Sequence, residues 1–171
     1  MWWMGKTVAA VSIITVLSAC GANEGKFITQ AEEILSEKME QEPQEVTSKK
    51  FGLNLYLPEE AVLEQLSEDE FKVDYMGQVY VIMLGEEDRE ESKEEIKVKE
   101  EEPLLAEVHH GSEEEAFLLI GLFDGDTYEV QIGLSGVTMT TVLKASEIVD
   151  QSKLMFDIIQ SVEANNQIAV N

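Results

Sequence analysis

The sequence predicts an α+β fold: a mostly antiparallel sheet of five to seven strands, covered by an N-terminal and a C-terminal amphipathic helix. Three observations carry this. Helical spacing of apolar residues appears near both ends of the chain, at 27–41 and 146–162. Between them the apolar residues alternate with period two or run in short apolar blocks, as strands do. Turn signals separate these blocks at short intervals, which favours hairpins over crossovers. A sheet with one apolar face, closed by amphipathic helices, is a standard layered solution.

Phe27, Ile28, Ala31, Ile34, Leu35 and Met39 recur every three to four residues, with acids between them. Thr29 with Glu32 three residues later fits a capping box, and Pro43 closes the helix. Phe51 to Leu57 alternates Leu53, Leu55 and Leu57 with Gly52, Asn54 and Tyr56, and Pro58 ends this strand. Glu59 to Leu66 reads as a short helix or loop. Phe71, Val73 and Tyr75 alternate again, Met76-Gly77-Gln78 forms a tight turn, and Val79 to Leu84 is a buried strand. Residues 86–102 hold ten acids and four bases. Arg89, Lys93 and Lys97 each follow a Glu by three residues, which suits an exposed ion-paired helix or a solvated loop.

Leu104 to Val108 is apolar, and His109-His110-Gly111-Ser112 reads as a turn. Ala116 to Phe123 is a strongly apolar strand, Asp124-Gly125-Asp126 a hairpin turn, and Tyr128, Val130 and Ile132 one face of the returning strand. Gly133 to Thr141 is irregular, uncharged and rich in small residues, and reads as a Gly-kinked strand leading to the last helix, with the edge of a pocket or a partner surface as the alternative. That helix shows Ile148, Val149, Leu154, Met155, Ile158, Ile159 and Val162, and Asn165-Asn166 ends it. There is no internal repeat.

The N-terminus carries an address. Met1 to Lys6 is a short basic start, and Thr7 to Ala19 is uncharged and mostly apolar. The apolar part fits a secretory h-region of about 7–15 residues and falls short of the roughly 20 that span a membrane. Leu17-Ser18-Ala19-Cys20 follows, and Cys20 is the only cysteine. This run resembles the lipobox of bacterial lipoproteins. The resemblance implies that residues 1–19 are a signal peptide, cut by signal peptidase II before a Cys20 that carries diacylglycerol. It implies a lipidated tether at 20–26, a single domain at 27–171 with an acidic insertion at 86–102, and a location on the extracytoplasmic face of the cell membrane of a monoderm; Gly21 stands where an acidic residue would suggest inner-membrane retention in an organism with two membranes. Two acyl chains suffice for stable anchoring. A thiol consumed by lipid leaves no cysteine for a disulfide or a metal.

A second resemblance covers residues 50–163. Phe51-Gly52-Leu53-Asn54-Leu55-Tyr56-Leu57-Pro58 resembles the opening strand of PsbP-like domains, and Ser152 to Val162 resembles their terminal helix. It implies an antiparallel sheet sandwiched by helices, in binding or assembly roles; no site residues carry over.

The whole chain of 171 residues has a net charge of −23. Loss of residues 1–19, Lys6 among them, leaves 152 residues at −24. Such a charge excludes nucleic-acid binding through a basic face and disfavours lying flat on an anionic bilayer. It favours solubility and attraction of cations or basic partners.

The chemistry-bearing candidates are few. Adjacent His109 and His110 would point to opposite faces of a strand and could converge on a metal only at a turn, with Glu107 or Glu113 to Glu115 near. Asp124-x-Asp126 lacks the later ligands of a calcium loop, since Tyr128 and Val130 stand where oxygens are needed. Gly133-Leu134-Ser135 lacks the second glycine of a nucleophile elbow, because Val137 takes its place. Thirty-five acids offer many carboxylate pairs and no reason to choose one. The expectation is therefore no catalytic residues, no metal, no cofactor, and Cys20 as the one modified residue. The chain reads as a non-catalytic binding or accessory lipoprotein for another envelope component, with a small-ligand or cation-binding lipoprotein as the alternative.

Overall fold

The computed structural model describes residues 20–85, 103–110 and 115–164. The first element is α1, Cys20–Met39. Phe27, Ala31, Ile34, Leu35 and Lys38 are its buried stripe, spaced to fall on one helix face. The segment expected as a tether, 20–26, is helical backbone continuous with α1, so Thr29 lies inside the helix and does not cap it. Once a helix is nucleated each added residue costs little, and no proline interrupts 20–39.

Two short strands follow, β1 (Ser48–Lys50) and β2 (Leu53–Leu55), joined by a two-residue turn. Phe51 and Gly52 have φ of 54° and 78°, the geometry of a type I′ turn. The strand expected from Phe51 is thus shorter, because its first two residues make the turn. Thr47 holds the far end: its hydroxyl donates to the Leu57 carbonyl at 2.8 Å and accepts from the Leu57 N–H at 2.7 Å.

The main sheet has seven strands, all antiparallel to their neighbours. In chain order they are β3 (Val62–Gln65), β4 (Glu70–Tyr75), β5 (Gln78–Leu84), β6 (Leu105–His110), β7 (Glu115–Asp124), β8 (Thr127–Leu134) and β9 (Val137–Lys144). In space the order is β3-β4-β5-β9-β8-β7-β6. Helix α2 (Ile148–Gln160) follows, and β10 (Glu163–Ala164) adds to the edge of β2, making a separate three-stranded sheet β1-β2-β10. The α+β class and the seven-stranded antiparallel sheet are as the periodicity predicts.

Residues 59–66, expected as helix or loop, contain β3, an edge strand paired with β4 in the register Leu63↔Val73. Residues 133–141, expected as a single Gly-kinked strand, are the end of β8, a turn and most of β9. Ser135 and Gly136 have φ of 48° and 81°, again a type I′ pair, and β9 sits between β5 and β8. Small, hydroxyl-rich residues are tolerated there because β9 gains its hold from ladders on both sides.

One face of the sheet, the inner face, carries Phe71, Val73, Tyr80, Ile82, Met139, Val130, Ile132, Leu118 and Ile120, all fully buried. α1 packs on β6 and β7, and α2 on β8 and β9. α2 contributes Ile148, Met155, Phe156, Ile158 and Ile159 to the same core. Burial of each such side chain contributes about 1.5–3 kcal/mol. The Phe27 ring meets Tyr128 edge-on with centroids 5.2 Å apart. Lys38 Nζ reaches Asp157 Oδ1 at 2.6 Å, and Gln160 Nε2 donates to the Lys38 carbonyl at 2.7 Å, so the two helices are tied at their C-terminal ends. Ser161 Oγ donates to the Ile158 carbonyl at 2.6 Å and accepts from Tyr56 N–H at 2.7 Å, joining α2 to the small sheet. The other face, the outer face, carries neither described helix.

Candidate functional site

The candidate residues can now be placed. Cys20 opens α1; Leu17, Ser18 and Ala19 lie outside the described residues, as do 86–102, Gly111 to Glu114, and Asn165-Asn166.

His109 and His110 are not in a turn. They belong to β6, opposite Ala116 and Glu115. The hairpin ladder extends through both, so the turn expected at His109-His110 is strand. Among the described residues no group of three or more His, Cys, Asp or Glu is placed to hold a metal ion. Glu107 and His109 share the inner face of this edge strand, half-buried. Inward-pointing polar groups at an edge discourage strand addition by another chain.

Asp124 and Asp126 are exposed at the β7–β8 hairpin. The two loop residues are Gly125, with φ of 59°, and Asp126; a glycine at the first loop position is the type II′ signature. Thr127 Oγ1 donates to the Asp124 carbonyl at 2.6 Å, so the turn's polar groups serve the turn. Ser135 is exposed in the β8–β9 hairpin, and its N–H donates to the Glu115 carbonyl. It stands at a strand-to-strand turn, whereas a nucleophile elbow joins a strand to a helix.

Among the described residues two groups show displaced acidity. The Tyr80 hydroxyl is pushed up to about 12, first by burial and then by the nearby Tyr75 and Glu147. It donates to Gln151 Oε1 on α2, which fixes that helix over β5. Lys72 on the outer face is raised by hydrogen bonds to Glu64, at 2.7 Å, and Asp74, at 3.1 Å. Both arrangements hold structural elements together: the first links helix to sheet, the second links three residues across β3 and β4.

Two surface features were not legible in the sequence. An open cleft is lined by Thr47, Ser48, Lys50, Leu57, Pro58, Glu59 and Ala61. The Thr47 hydroxyl in it is already engaged on both sides by Leu57. The second feature is the outer sheet face. Val62, Val79, Met83 and Val108 are exposed there, and Thr138, Thr140 and Gln131 occupy its middle. Leu119 on the same face is only 7 % exposed and stands apart from the inner core cluster. Opposite Phe117, Gly133 has no side chain, and the Phe117 ring lies directly over it. The local sequence signals neither feature, because each is assembled by strands distant in the chain. No helix among the described residues is long and apolar enough to cross a membrane.

No family model matches the chain, and neither a curated protein nor a solved structure matches it.

Proposed function

We propose that the chain is a bacterial lipoprotein precursor, anchored through lipid on Cys20 at the extracytoplasmic face of the cell membrane, and that its folded part is a non-catalytic binding or accessory module for another envelope component. The observation that carries the reading is Leu17-Ser18-Ala19-Cys20 behind a short apolar run, with no other cysteine in the chain. Diacylglycerol on that thiol carries two acyl chains, enough to hold a protein at a bilayer without a spanning helix. A charge of −24 on the remaining residues repels the domain from anionic headgroups and leaves its surface free for a soluble or membrane-borne partner.

The anchor is tested with Cys20→Ala and metabolic labelling by a fatty acid. The expected result is an uncut, unlabelled precursor; a mature acylated form of the variant removes the reading. The partner is tested by cross-linking in living cells, with the same variant as control, and identification of captured proteins. One dominant, anchor-dependent envelope protein is expected. Capture that is the same with and without the anchor overturns the accessory role.

A further inference from the structure

Two hairpin tips project from the same end of the main sheet. Leu122 pairs with Tyr128, and Tyr128 with Leu143. Val81 pairs with Thr140, so Gln78, three residues before Val81, stands level with Leu143; Tyr75 pairs with Gln78. The Gln78 side chain fits this level, since its Nε2 donates to the Val142 carbonyl at 3.1 Å. The β4–β5 turn at Met76-Gly77 and the β7–β8 turn at Gly125-Asp126 therefore point the same way.

Exposed apolar side chains gather at this end. Met76 at one tip is 86 % exposed, and Leu122 and Phe123 are exposed beside the other. Within two rungs of the tips stand Val62 and Val79, both level with Asp74, and Leu104, whose N–H donates to the Ile120 carbonyl. These six are among ten large apolar side chains exposed in the described residues, so this exposure is concentrated rather than scattered, as at a contact surface. Met76 also breaks a local rule. Its φ of 50° puts it at the first position of a type I′ turn, where Asn, Asp or Gly is favoured. A side chain so exposed adds almost nothing to packing, and local choices that oppose the fold are expected where function asks for them.

Helix α1 sets out from the same end. The Phe27 ring meets Tyr128, which lies next to the β7–β8 turn. Lys38, eleven residues on, is tied to Asp157 and Gln160 near the end of α2. α2 starts four residues after Lys144, which pairs with Thr127 at the tips. Both helices thus run away from the tips. Going back from Phe27, helical backbone continues to Cys20, about 10 Å further toward the tip side. A continuous helix is a stiff link, so whatever holds Cys20 holds this end of the domain closest.

We propose that this end of the sheet faces the lipid bilayer, with Met76, Leu122 and Phe123 seated at the headgroup boundary and the strands standing upright on the membrane. The inference rests on the lipid anchor at Cys20 proposed above, and adds to it an orientation and a lipid-contacting surface. Few side chains suffice, because an anchor holds the tips at high effective concentration beside the surface. An upright stance keeps most of the acids away from the headgroups, as the negative charge of the chain requires. Asp124 and Asp126 flank the second tip, which favours a zwitterionic surface over an anionic one.

The test uses the acylated chain purified from membranes and placed in phosphatidylcholine vesicles. Lipid occupies the Cys20 thiol, so a nitroxide on Met76→Cys is unique. A second sample carries it on Leu66→Cys, exposed at the opposite end of the sheet. An unchanged circular dichroism melt checks each fold, and mass spectrometry checks the diacylglycerol on Cys20. The expected result is loss of collisional broadening by a water-soluble nickel chelate at position 76, with gain of broadening by oxygen, while position 66 stays open to nickel. Equal nickel access at both positions in an acylated sample overturns the orientation alone and leaves the anchor standing. Shielding at position 66 in place of 76 overturns it as well. A chain without diacylglycerol removes the anchor reading, and the orientation falls with it.

Discussion

Gly133 sits in the interior of β8, where local rules say that replacing glycine should help. A glycine in a strand costs roughly 0.5–1 kcal/mol relative to alanine, through the entropy of the unfolded chain. The tertiary structure reverses the sign. A Cβ built on Gly133 meets three ring carbons of Phe117 at 2.0, 2.3 and 2.7 Å, well inside van der Waals contact. The half-buried ring must swing off its rotamer and lose its seat on the opposite strand. Such overpacking costs about 1–3 kcal/mol. Set against the entropic gain, Gly133→Ala should destabilise by about 1–2 kcal/mol, which lowers the melting temperature by roughly 2–8 °C in a chain of this size. The decisive assay is a double-mutant cycle with Phe117→Ala, read by urea denaturation. In the Phe117→Ala background the obstacle is gone, and Gly133→Ala should stabilise by about 0.5–1 kcal/mol. The reasoning is refuted if Gly133→Ala alone raises the urea midpoint, or if its effect is the same in both backgrounds.

Ser152 is fully buried on α2, and its hydroxyl has no hydrogen-bond partner among the described residues; Ser152→Ala should raise stability by about 1 kcal/mol, since an unpaired buried hydroxyl costs about 1–3 kcal/mol and alanine favours the helix, and a lower melting point would contradict this. Asp157→Ala strands the Lys38 ammonium, which is 9 % exposed, and should cost about 3 kcal/mol; adding Lys38→Met should recover part of that loss, measured in the same denaturation series. Tyr80 keeps its proton to about 12 in the fold, against 10.0 for an ordinary phenol, so between those values the unfolded chain binds fewer protons and stability falls as the pH rises; Tyr80→Phe should flatten that decline, and an identical alkaline profile for both proteins would argue against the assignment.

The parts of the fold that were legible are those fixed by neighbours in the chain. The hairpin of β4 and β5 shows in the alternation of Phe71, Val73 and Tyr75 and in Met76-Gly77, whose φ values are 50° and 82°. The β7–β8 turn shows in Gly125, and α2 in its apolar spacing. The misread segments depend on partners far away. β3 has no pattern of its own and is a strand because β4 offers a free edge. β9 is held by β5 and β8, sixty residues and a few residues away in the chain, so its hydroxyl-rich sequence looked irregular. His109 and His110 were assigned to a turn because the extent of a ladder depends on the facing strand. For the candidate sites, residue types were legible and convergence was not: whether two side chains meet is a property of the sheet register.

The run Leu17-Ser18-Ala19-Cys20, which resembles a lipobox, is of another kind. A linear motif is legible from the order of its residues alone, so the proposal built on it owes nothing to the fold. Periodicity likewise establishes the α+β class, because one apolar face per element demands a second layer. What periodicity cannot supply is the order β3-β4-β5-β9-β8-β7-β6 and which face the helices take. Those depend on backbone hydrogen bonds between distant strands and on the handedness of L-residues, and they exist only once the sheet is assembled.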